Sequence, residues 1–215
     1  MDEYQFLREM IAKNESEAQA LLKQQQQEKI NSLIAKSGLA ERFKVRTFET
    51  FQETPENKNA LVLCRKLVEH FDAAEKGIML TGDVGRGKTH LAAAIANELL
   101  KRLYTVVFGN ITNIISLIRS TYNGGEVTEN EILDTLGKVD LLVIDDVGKE
   151  NDSSYTKSLV YQIINRRYED NKKVVITTNL NTAGLQHKFG EATVSRLIEM
   201  CVPVKVEGVD WRKKI

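Results

Sequence analysis

The stretch GIMLTGDVGRGKTHLAAAIANELL, residues 77–100, decides the fold. Ile78, Met79 and Leu80 form a short apolar run between Gly77 and Thr81, which reads as a buried strand. A glycine-rich turn follows, Gly82-Asp83-Val84-Gly85-Arg86-Gly87, and Lys88-Thr89-His90 then open a helical segment predicted to reach Arg102. This is G-x-x-x-x-G-K-[ST] between a strand and a helix, the context that gives the motif meaning. Glycines let a loop wrap so that backbone N–H groups point at phosphate oxygens, and the helix N-terminus adds its positive dipole end. A lysine at position 88 suits the β- and γ-phosphates of ATP, and the Thr89 hydroxyl suits magnesium. The four fixed positions would recur by chance in about one chain in a hundred of this length. Flanking strand and helix lower that further.

Downstream, Leu141-Leu142-Val143-Ile144 is a second apolar strand, and it ends in Asp145-Asp146. In an open α/β sheet the carboxyl ends of the strands are where ligands bind. Asp145 is expected to hold magnesium, directly or through water, and Asp146 to orient or deprotonate the attacking water. Two aspartates after a strand would be an unremarkable turn in isolation. Behind a phosphate loop they complete a site. A third apolar strand, Val174-Val175-Ile176-Thr177-Thr178, ends in Asn179, whose amide could bond the attacking water or the γ-phosphate.

Working outward, strands are predicted at 77–81, 105–108, 141–144, 173–178 and 202–206. Helices are predicted at 56–74, 88–102, 111–122, 128–136, 153–170 and 193–200. Strands apolar throughout, alternating with helices, imply an α/β fold with a parallel five-stranded sheet covered on both faces.

The 215 residues contain 30 basic and 30 acidic side chains, so no global field draws the chain toward nucleic acid or membrane. DNA contact would need a local patch. The two cysteines, Cys64 and Cys201, lack metal-ligand spacing and sit in apolar surroundings, which reads as buried thiols in a reducing compartment. No apolar run approaches the ~20 residues of a membrane span, and the polar N-terminus is unlike a signal peptide. A cytoplasmic protein without membrane contact is expected. Residues 1–45 form a separate segment. There Phe6, Leu7, Met10, Ile11, Ala18, Leu21, Leu22, Ile30, Leu33 and Ile34 recur at helical steps until Gly38. That narrow stripe leaves two readings open: it lies back on the domain of residues 46–215, or it docks in a partner's groove.

Taken together, the pattern resembles the AAA+ superfamily and, within it, the DnaC/DnaI helicase-loader group. The resemblance covers about residues 43–215 and is densest in GDVGRGKTHLAAAIAN (82–97), VDLLVIDDVG (139–148), QIINRR (162–167) and TTNLN (177–181). Transposition ATPases of the IstB type share this core, but NELLKR (97–102) and YNGGEVT (122–128) look more like DnaC. The resemblance implies an AAA+ core without a C-terminal helical lid, since the chain runs only about nine residues past Val206. It implies weak ATP hydrolysis stimulated by DNA or a partner, a homo-oligomer in the ATP state, and an N-terminal segment that grips a replicative helicase. Arg196 matches the arginine finger that reaches the neighbouring subunit's nucleotide, and Arg212 the second sensor arginine. Arg119, Tyr122, Ser153 and Tyr155 fall where single-stranded DNA is contacted. Two departures stand out. Asp146 occupies a position where glutamate is commoner, and the zinc-binding cysteines of DnaI-like loaders are missing.

The expectation is therefore an ATP-dependent loader of a replicative helicase onto single-stranded DNA at the initiation of replication. Two rivals stay open: a transposase-associated ATPase that binds duplex DNA, and a non-catalytic adaptor switched by ATP.

Overall fold

The computed structural model describes residues 3–35, 43–121, 127–150 and 153–213. Five strands, β1 (Gly77–Thr81), β2 (Val106–Asn110), β3 (Leu141–Val147), β4 (Lys173–Thr178) and β5 (Cys201–Lys205), form one sheet in the order β2-β3-β4-β1-β5. Every pairing is parallel. Helices fill the connections: α1 (Glu3–Ala35), α2 (Lys58–Glu69), α3 (Lys88–Lys101), α4 (Ile111–Ser120), α5 (Glu129–Lys138), α6 (Ser154–Glu169), α7 (Thr182–Phe189) and α8 (Glu191–Met200).

Residues along each strand alternate between two hydrophobic layers, as the period of two requires. Leu142 and Ile144 join Val107, Val174 and Ile176 under α4 to α8. Leu141 and Val143 join Ile78, Leu80, Val175 and Val204 under α2, α3 and the phenylalanines Phe48 and Phe51. With both faces covered, no polar face is needed, which is why the strands read as unbroken apolar runs. On α3, Ala92, Ala93, Ala94 and Ala96 are buried, and their small side chains let that helix lie close over the sheet.

Several element boundaries depart from the sequence reading, and the helix expected at 56–74 ends at Glu69. The segment expected to hold one short helix at 193–200 holds two, because Gly190 at φ +85 ends α7 and starts α8. Strand β3 also continues through the carboxylates to Val147, past a bulge. Gly38, the expected end of α1, lies outside the described residues, and so does Tyr122. Helix α1 approaches the edge strand β2 and helices α4 and α5. Met10, Ile11, Leu21 and Leu22 are nevertheless exposed on it. Among the described residues, only a short 3-10 turn, Trp211–Lys213, follows β5.

The amino edge of the sheet is tied by Arg167 of α6. Its side chain is fully buried and donates to the carbonyls of Leu136, Gly137, Val139, Asp140 and Lys173. Both cysteines are buried free thiols, and burial pushes each up to about 12.

Candidate functional site

At the carboxyl edge of β1 the chain wraps into the glycine loop. Gly82, Gly85 and Gly87 have φ of +134, +80 and +95, values that side-chain-bearing residues rarely adopt. Gly85 is constrained twice over, since a Cβ there would collide with the Asp210 carboxylate at 1.7 Å. Lys88 opens α3 and turns back into the loop, donating to Gly82 O and Asp83 O at 2.7 Å each. Burial lowers its pKa, while the charges of Asp146 and Asp145 act the other way. The ammonium is thus held on two carbonyls beside an open cleft, in a position where phosphate oxygens can take their place.

The carboxylates stand across from it. Asp145 is 3% exposed; its Oδ1 accepts from Thr89 Oγ1 at 2.8 Å and from Thr177 Oγ1 at 2.6 Å. Burial raises its pKa and the neighbouring Asp146 adds to that, against the two hydroxyl bonds. Asp146 adopts φ +58 and bonds the Lys149 ammonium at 2.9 Å. Thr89 and Asp145 offer hard oxygen donors, the type magnesium prefers. Among the described residues no cluster of three acidic, histidine or cysteine side chains could hold a metal alone. Water and phosphate oxygens would therefore complete magnesium's six-fold shell, as this ion usually requires.

The cleft measures about 810 Å³, and its lining includes Lys88, Thr89, Asp145, Asp146, Asn179 and Arg212. One wall is residues 43–52, which α3 holds from beneath. His90 Nε2 lies 2.9 Å from Thr47 O and 3.2 Å from Thr50 Oγ1, and Asn97 Nδ2 donates to Phe43 O and Arg46 O. Burial depresses the His90 pKa, against the pull of the Thr47 carbonyl. The opposite wall is the C-terminal turn, where Trp211 N donates to Gly85 O at 3.1 Å. The sequence reading assigned no strand or helix to 46–55 and missed this role. The signal available was His90 and Asn97, polar residues on an otherwise buried helix.

Residues 3–215 match the family described as IstB-like ATP binding protein. The chain is 33% identical over 179 residues to the replicative helicase loader DnaC of Escherichia coli (strain K12), covering 83% of this chain and 73% of that one. The chain belongs to the IstB-like ATP-binding family, in its helicase-loader group. A crystal structure of the DnaC helicase loader superposes with TM-score 0.70 at 28% identity, covering 77% of this chain and 99% of the other. The replication initiator DnaA bound to AMPPCP and single-stranded DNA superposes with TM-score 0.68 at 27% identity, over 76% of this chain and half of its own. The fold is thus the AAA+ core expected from the motifs, with its parallel five-stranded sheet.

For the IstB-like loop, Asp83 and Val84 are exposed, and Arg86 reaches Asp83 at 3.5 Å. Arg196 lies away from the cleft lining, with its guanidinium 5.0 Å from the Tyr161 ring centre and 5.5 Å from that of Tyr168. One of its nitrogens donates to Ala192 O. Arg119 and Tyr155 come together on one surface, the guanidinium 5.3 Å from the ring centre. Ser153 caps α6, its hydroxyl accepting from Thr156 N at 3.0 Å.

Proposed function

We propose that this chain is an ATP-dependent loader of a replicative DNA helicase onto single-stranded DNA. The observation that carries the reading is one cleft, in a chain of the helicase-loader group, where Lys88, Thr89, Asp145, Asp146 and Asn179 converge from three different segments. ATP lies with its phosphates in the loop 82–90, and Lys88 exchanges its two carbonyls for phosphate oxygens. Thr89 and Asp145 would hold magnesium, which would supply positive charge against that developing on the phosphates. Asp146 takes the proton of the attacking water or aligns it, and Asn179 bonds the water or γ-phosphate. Asp146 is one methylene shorter than glutamate, which slows turnover; DNA or the partner raises it.

Arg196 acts across a subunit boundary in an ATP-bound homo-oligomer, and Arg212 reaches the phosphates of its own cleft. The segment 1–45 binds the helicase, with the exposed Met10, Ile11, Leu21 and Leu22 as its contact stripe; residues 46–215 are the ATPase domain. Arg119, Tyr122, Ser153 and Tyr155 hold single-stranded DNA by stacking and phosphate contact. The protein works in the cytoplasm. Among the described residues no helix is long and apolar enough to cross a membrane.

The test combines the chain, a replicative helicase, ATP and a single-stranded DNA circle, and reads helicase bound to the circle. Helicase should load only with ATP and only when residues 1–45 are present. Filter binding with single- and double-stranded DNA runs in parallel. A preference for duplex would favour a transposase-associated role, and absence of DNA binding an adaptor.

A further inference from the structure

The ladder between β3 and β4 breaks where the chemistry begins. Ile144 pairs with Ile176 and Val147 with Thr178, so β3 carries one residue more than β4 across that interval. Such a bulge leaves backbone groups without their regular partners. Side chains take over. Asp146 N donates to Thr177 Oγ1 at 2.9 Å, and Thr178 Oγ1 donates to Val147 O at 2.7 Å. Beyond Val147 the strand offers nothing more, and α7 reaches in. Lys188 Nζ donates to Gly148 O and Glu150 O, each at 2.6 Å, and stands 3.5 Å from Glu150 Oε1. The other Glu150 oxygen accepts from Gly148 N at 3.0 Å. Gly148 is required at this turn, since its φ is +108 and a Cβ would meet Leu180 at 2.6 Å.

The pair is almost closed off from water, with side-chain exposures of 15% for Lys188 and 2% for Glu150. A buried ion pair is often no more stabilising than apolar residues of the same volume. Stability alone therefore gives no reason to place one four residues after Asp146. Geometry does. Helix α7 begins three residues after Asn179, so the Lys188 ammonium joins the turn that leaves Asp146 to the segment that leaves Asn179. The two groups facing the terminal phosphate become parts of one body.

We propose that Lys188 is a positioning residue for hydrolysis, fastening the 148–150 turn so that Asp146 and Asn179 keep a fixed relation over the γ-phosphate. The inference rests on the reading of Asp146 given above. It does not touch nucleotide binding, because the phosphate loop and Thr89 lie on other segments.

The experiment measures turnover at saturating ATP and magnesium with single-stranded DNA present, ATP affinity by calorimetry, and thermal stability. It compares the full-length wild type, Asp146→Asn, Lys188→Met and Lys188→Met/Glu150→Gln. Misplacing a reacting group by an ångström can cost about a hundred-fold in rate, so Lys188→Met should lose about ten-fold or more in kcat. Its ATP Kd should move by less than about three-fold, the signature of an interaction felt only in the transition state. The double variant leaves no uncompensated buried charge. Its stability should therefore recover, while kcat stays low because Gly148 O and Glu150 O still lack their donor. A kcat that recovers together with stability makes the pair merely structural and overturns the proposal. So does a folded Lys188→Met with wild-type kcat, or a Kd that worsens in step with kcat. If the single variant does not fold, the double variant decides by the same criterion. A wild type without turnover, or an Asp146→Asn variant at full rate, overturns the reading of the site and this inference with it.

Discussion

Two buried cations sit at opposite edges of the sheet, and backbone carbonyls hold both. At the carboxyl edge Lys88, 6% exposed, donates to Gly82 O and Asp83 O. At the amino edge Arg167, 0% exposed, spreads its guanidinium over five carbonyls drawn from the end of α5 and the starts of β3 and β4. The acceptors differ in their alternatives. Those of Lys88 belong to a glycine-rich loop beside a cleft, where water or phosphate can replace either partner. Those of Arg167 are sealed in, and burial pushes its pKa down to about 9, which still leaves it charged at neutral pH. The same hydrogen-bond chemistry serves exchange at one edge and permanence at the other.

The largest effect expected from this contrast is on folding. Arg167→Met strands up to five carbonyls, and each buried acceptor left unpaired costs roughly 1–3 kcal/mol before relaxation. A net loss of about 4 kcal/mol, or about 8–16 °C in Tm, should appear in thermal unfolding. A drop of less than about 2 °C would show that the guanidinium is no bolt. Lys88→Met, which keeps the alkyl stem, should do the reverse. Its Tm should stay within about 2 °C of wild type, while calorimetry finds ATP bound more than about a hundred-fold more weakly, close to 3 kcal/mol. Unchanged ATP affinity would erase the distinction between the two cations.

Asp146→Asn probes the exchanging edge alone. General base or water-orienting groups contribute about 10²–10⁴-fold, and this variant should lose turnover near the lower figure with ATP affinity intact.

The smallest effect concerns two aspartates, one per edge, whose shifts run in opposite senses. Asp140 sits at the amino edge. Burial works to raise its pKa, but the Thr105 hydroxyl and backbone N–H, with Lys172, hold it below the usual value. A depressed folded pKa adds stability that is present above the unfolded value near 4 and lost as pH falls through the folded one. Asp140→Asn should therefore lower Tm at pH 7, and the gap should close in acid. Asp145 is shifted upward by burial, so its charge is a penalty that sets in as pH rises past the unfolded value. Asp145→Asn should raise Tm by about 1–2 °C at pH 7 without metal or nucleotide, and again converge with wild type in acid. Shifts of the same sign at both positions would break the comparison.

What the residues disclosed followed the same division. The exchanging edge was legible because a phosphate loop uses fixed residue types at fixed spacing, Gly82 to Thr89, and the two carboxylates follow on a strand end. The apolar strands gave the sheet for a similar reason, since burial on both faces removes polar residues. The bolt was not legible. Arg167 lies in QIINRR, where an arginine on an amphipathic helix reads as exposed until the surrounding backbone is known. Helix α7 was missed because it buries only Leu185 and Phe189, one i, i+4 pair and too short a stripe to register. Lys188 was hidden with it. The bulge after Ile144 depends on the register of two strands, a property of the pairing that neither strand's sequence contains.

Trp211 has one more consequence. It is the chain's sole tryptophan, it borders the cleft, and its backbone N–H is fastened to Gly85 of the phosphate loop. The protein thus carries a built-in optical gauge at its nucleotide site. Intrinsic tryptophan emission originates beside that loop, and a change in it on adding nucleotide reports occupation of the cleft without any attached dye.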